Sequence, residues 1–97
     1  MGEVIKATAT EKRQVLKEIE QCAEAELYLG SKILRMPIEE SAEDRRRETM
    51  YTERRLTKET LAKMMGIPAE KITEARNKGY DRANETVQEA DNNGWWD

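Results

Sequence analysis

Large apolar side chains are scarce in this chain, and that scarcity limits what it can fold into more than any other feature. Leu, Ile and Val number fifteen among 97 residues and Phe is absent, while 38% of the residues are charged. So low an aliphatic share accompanies intrinsic disorder when the net charge is also large. Here 17 basic and 20 acidic residues cancel to −3, so half of that signature is missing. Ten alanines and five methionines extend a core only if the elements are helices, because Ala has the highest helix propensity and Met fills irregular gaps. The length supports one small domain and not two cores. The expectation is an all-α fold, a small helical domain of about four helices, marginal on its own and helped by a partner.

Composition also removes functions. With no His, Ser-His-Asp triads, histidine bases and histidine-ligated zinc are excluded. Cys22 is alone, so it makes no internal disulfide and no cysteine-rich metal site, and it reads as a small core residue. No catalytic, cofactor-binding or metal-ligating residue is assigned. The chain reads as a non-enzyme that takes no cofactor and no small molecule. No stretch approaches the ~18 apolar residues of a membrane span, and the N-terminus lacks an apolar signal core. A cytoplasmic protein with no membrane partner is expected.

Charge is distributed in blocks. Residues 1–44 hold 6 basic and 10 acidic side chains, residues 45–82 hold 11 and 6, and residues 83–97 hold 0 and 4. A positive middle between negative ends suits phosphate or an acidic partner, and it equally suits a solvated helix face laced with Glu and Arg. Arg45-Arg46-Arg47 is flanked by Glu43, Asp44 and Glu48, which weakens the phosphate reading there.

Thr8 and Glu11 have the spacing of a capping box. A helix follows in which Val15 or Leu16, Ile19, Ala23 and Leu27 recur at three- and four-residue steps. It ends at Gly30, or runs on until Pro37 stops it. Residues 1–36 are therefore read as an N-terminal amphipathic helix, whose stripe also suits pairing with a second chain into a homodimer. Val4 to Thr8 has mild strand character but no partner strand. Residues 37–55 read as a charged connector or solvated helix starting near Ser41. With only Met50 and Tyr51 as large apolar residues in the run from Arg45 to Arg55, the stretch 39–55 is expected to order only against a protein partner. Residues 92–97 form a tail whose two tryptophans, Trp95 and Trp96, either fold back on the core or meet a partner.

The remaining segment, 56–91, carries the most specific pattern. Thr57 suits an N-cap, Leu61 and Met65 lie one turn apart, and Ala62 permits close helix contact. Gly66 offers left-handed backbone for a sharp turn, Ile67 plugs the core, and Pro68 opens a second helix with Ile72 and Ala75 on its buried side. Lys78-Gly79 closes that helix, and Asp81 caps a final one with Ala83, Val87 and Ala90 on one face.

Laid from Lys58 to Asn77, this pattern resembles the helix-turn-helix of the Cro and C1 phage-repressor class. Ala62, Gly66, Ile67, Ile72 and Ala75 fall where that family places its small, glycine, aliphatic, aliphatic and apolar residues. The resemblance implies that the helix from Pro68 to Asn77 enters the major groove of double-stranded DNA. Ala69, Glu70, Thr73, Glu74 and Asn77 would then face base edges. Asn77 suits adenine, Thr73 a thymine methyl, and a Glu suits cytosine N4, although Glu70 and Glu74 also repel phosphate. Lys58, Lys63, Lys71, Arg76, Lys78 and Arg82, with Arg54 and Arg55, would neutralise phosphates. The implied function is a small, cofactor-free DNA-binding transcription regulator of the kind found in phage and mobile elements. The alternative is an all-helical protein-binding module or inhibitor on the same scaffold.

Overall fold

The computed structural model describes residues 5–96. Three helices carry the chain: α1 over Ala9–Ile33, α2 over Ala42–Met64 and α3 over Ala69–Asn93, with a short 3-10 turn at Ile38–Glu40. The capping box at the start of α1 is complete, Thr8 Oγ1 accepting from the Glu11 N–H and the Glu11 carboxylate accepting from the Thr8 N–H, both at 3.1 Å. The helix passes through Gly30 and stops at Ile33, before Pro37. Among the described residues there is no strand. The Ile5 N–H instead donates to the Met64 carbonyl at 2.7 Å, while Val4 lies outside the described residues.

Two expected helix boundaries are absent. Thr57 is interior to α2, which starts after Ser41 and runs unbroken to Met64. Lys78-Gly79 does not end α3, and Asp81 does not cap a new helix. Among the described residues there are therefore three long helices where about four were expected. Gly79 explains the difference, because it keeps helical backbone and its missing side chain serves packing. A Cβ there would drive into the Glu20 carbonyl oxygen and lie 2.9 Å from the Ala23 Cβ. Among the described residues the left-handed glycines are Gly66, at φ 79°, and Gly94, at φ 68°, which ends α3.

Helix α1 is central. Lys58 pairs with Glu18, Arg55 with Glu26 and Lys32 with Asp44, so α2 runs antiparallel to α1. Arg82 pairs with Glu24 and Arg35 with Asp91, so α3 runs parallel to it. The apolar core, Val15, Ile19, Ala62, Met65, Ile67, Ile72 and Ala75, gathers at the end where the Gly66 turn joins α2 to α3. Burying an Ile the size of Ile19 or Ile72 contributes about 2 to 3 kcal/mol, and both are almost fully buried. Of the stripe expected to pair with a second chain, Ile19 and Ala23 are fully buried within this one, while Leu16 and Leu27 stay partly exposed.

The charged stretch is helical from Ala42 onward. Of the two tryptophans, Trp96 folds back with its ring 5.6 Å from Tyr28 and under the Arg35 guanidinium. Trp95 stays exposed. Among the described residues no helix is long and apolar enough to cross a membrane.

Candidate nucleic-acid interface

The turn that joins α2 to α3 is built by a glycine and two hydrogen bonds. The Gly66 N–H donates to the Lys63 carbonyl and the Ile67 N–H reaches back to the Ala62 carbonyl, both at 3.0 Å. With Gly66 left-handed, this is the Schellman arrangement, and Ile67 packs on the helix it closes. Pro68 then starts α3 with no side-chain cap, leaving the first N–H groups of a 25-residue helix facing solvent at its positive end.

On α3 the outward positions Ala69, Glu70, Thr73, Glu74 and Asn77 are all exposed and share one open face. The cations expected to neutralise phosphate fare differently. Arg76 is held by Glu59, Lys58 by Glu18, Lys78 by Glu74, Arg82 by Glu20 and Glu24, and Arg55 by Glu26 and Glu59. Lys63, Lys71 and Arg54 make no ion pair among the described residues, and Arg54 instead lies over the Tyr51 ring. Arg46 and Lys63 lie near opposite ends of α2, about 26 Å apart at the helical rise per residue. The positive block of the sequence is thus not one patch.

A different cluster forms at the Gly66 end. Lys12, Arg13 and Lys71 line one shallow depression over Ala9, Leu16, Ile67 and Pro68. Lys63 sits in the last turn of α2, and Lys6 follows the residue bonded to Met64. None of these five makes an ion pair among the described residues. Block counting along the sequence missed Lys6, Lys12 and Arg13, because they belong to a stretch of net negative charge. Only the fold carries them to the same end as Lys63 and Lys71.

Arg55, Arg76 and Glu59 meet at the middle of the molecule with Glu26 and Tyr80. The Arg55 Nε donates to Glu26 and its Nη1 to Glu59, both at 2.6 Å, and the Tyr80 hydroxyl donates to Glu26 at 3.4 Å. Burial would raise the Glu59 carboxyl, but hydrogen bonds from Arg76 and Arg55 outweigh it and hold the carboxyl below its ordinary value. Burial and the Glu26 carboxylate push the Tyr80 hydroxyl up. This network ties the three helices together.

Among the described residues no three metal-ligating side chains converge. Comparison with protein-family models, with curated proteins and with solved structures finds no match to this chain.

Proposed function

We propose that the chain binds double-stranded DNA through its Gly66 end, as a small regulatory protein of the helix-turn-helix kind that its 58–77 pattern resembles. The observation that supports this most is the group of cations that make no ion pair among the described residues, Lys6, Lys12, Arg13, Lys63 and Lys71, at the end where the uncapped α3 starts. Phosphate attraction of this kind supplies most of the affinity for DNA and carries no sequence information. Base reading falls to Thr73 and Asn77, which are exposed on α3 beside Glu70 and Glu74. Lys58, Arg76 and Lys78, each held by a carboxylate, take little part.

Duplex binding measured at several salt concentrations tests the reading. Four phosphate contacts give a slope of about −3.6 in log affinity against log salt, a loss of roughly a hundredfold between 50 and 200 mM. Lys12→Glu and Lys71→Glu should each weaken binding, and absence of binding to mixed-sequence duplex at about 50 mM salt sinks it.

One observation favours the second reading, a protein-binding module. Helices α2 and α3 meet at the Gly66 turn and at Arg76–Glu59, then diverge along α1 and leave an open cleft at the other end.

A further inference from the structure

That cleft has an occupant's chemistry written into it. Beyond the level of Glu26, Arg55 and Tyr80 no ion pair or side-chain hydrogen bond joins α2 to α3 among the described residues, and the strip of α1 between them is only partly covered. Leu27, Gly30, Ser31 and Leu34 follow one another there at steps of three, one and three residues, two turns of a single helical face. Thr52 and Glu48 of α2 form one wall and Tyr80 of α3 the other, around a volume of about 540 Å³. Leu34 is 85% exposed.

Glu48 is the informative residue. Seven acidic side chains among the described residues are at least partly buried: Glu18, Glu20, Glu24, Glu26, Asp44, Glu48 and Glu59. Six of them hold an ion pair. Glu48 alone makes neither an ion pair nor a side-chain hydrogen bond among the described residues, and its carboxylate lies over Gly30, with Oε2 2.6 Å from the place a Cβ would occupy. A partly buried carboxylate on an apolar floor is stable only if water or a cation reaches it.

We infer that this cleft receives one amphipathic helix of a partner protein, with its apolar side on Leu27 and Leu34 and a Lys or Arg placed against Glu48. A helix fits because the gap lies between two helices on a third, and a further helix there completes a bundle by ordinary ridge-and-groove contact. Gly30 and Ser31 are small enough to let its backbone come close. A foreign partner is favoured over a second copy by charge. Residues 26–55 and 80–96, the half that holds the cleft, carry eight basic and eleven acidic side chains, so two such halves repel each other while a basic helix is attracted. The site lies at the opposite end from the DNA-binding surface proposed above and does not depend on it.

The test uses the full chain and two synthetic helical peptides of about 18 residues, ~27 Å of helix, with the same leucine stripe. One carries lysines on its polar face and the other glutamates. The lysine peptide should saturate the protein, and the glutamate peptide should bind at least about tenfold more weakly. Glu48→Gln should cut affinity for the lysine peptide about tenfold and leave the melting temperature unchanged, whereas Glu89→Gln, an exposed acid outside the cleft, should leave affinity as it was. Leu34→Glu should abolish binding, and its exposure makes loss of the fold no explanation. Equal binding of the two peptides, or indifference to Glu48→Gln, overturns the inference. So does a concentration-dependent dimer in sedimentation that Leu34→Glu dissolves, which would assign the cleft to a second copy.

Discussion

Arg76 on α3 grips Glu59 on α2 with two parallel hydrogen bonds, Nε at 3.0 Å and Nη2 at 2.7 Å. It is the polar tie between two helices that otherwise lean on α1. Glu59 is buried and also accepts from Arg55, so removing its charge leaves two guanidiniums short of a partner. Breaking a buried pair from one side costs about 3 to 5 kcal/mol, and the partial exposure of Arg76 puts Glu59→Gln near the lower end, about 3 kcal/mol. Denaturant unfolding at neutral pH measures this.

The same carboxylate gives the stability a pH dependence of known sign. The Glu59 carboxyl lies below its ordinary value in the folded chain, so its contribution is full above the unfolded value, about pH 4.3, and fades as pH falls through the folded value. The difference in stability between the parent chain and Glu59→Gln should therefore shrink between about pH 5 and pH 3. A constant difference over that range would mean that the carboxylate is not specially held in the fold.

Three glycine-to-alanine exchanges should give three different results in thermal melts. Gly30→Ala gains from helix propensity, about 0.5 to 1 kcal/mol, since only the mobile end of Glu48 stands in its way. Gly66→Ala loses about 1 to 2 kcal/mol, because its backbone is left-handed although nothing crowds it. Gly79→Ala loses about 2 kcal/mol despite the propensity gain, because the new methyl meets the α1 backbone.

On the DNA side, Lys71→Gln should flatten the salt slope of duplex binding by about 0.9, one phosphate contact, and Lys78→Gln should barely change it. Both lysines are exposed on α3, but Glu74 lies 3.6 Å from the Lys78 ammonium. Equal effects would place the contact surface elsewhere on α3.

Burial pushes the Cys22 thiol up from its ordinary value, against the pull of the Arg54 and Lys58 charges. Alkylation of the folded chain at pH 8 should then run more than about tenfold slower than alkylation in denaturant. Equal rates would show that the thiol is open to solvent.

Much of the helical content was legible in the residues because local rules decide it. The capping box at Thr8, the start after Ser41 and the left-handed Gly66 all follow from side chains within four positions of one another. What escaped was non-local. Gly79 has the look of a helix end until α1 is laid against it, and then its missing side chain is what lets the helices touch. Arg76 and Lys58 look like free cations until the fold brings Glu59 and Glu18 to them. Lys12 and Arg13 join Lys71 only because α1 and α3 run parallel and begin at the same end.

The bulky aliphatic cluster lies at the Gly66 end, while the other end has only the small buried apolar residues Ala83, Val87 and Ala90 of α3 and ion pairs such as Lys32–Asp44 and Arg35–Asp91. The protein is thus a clasp with a firm hinge and soft tips. Amide protons should exchange slowest around Ile19, Ala62 and Ile72 and fastest toward Ile33, Ala42 and Asn93, with salt widening the gradient. A chain built this way opens at its tips long before it unfolds.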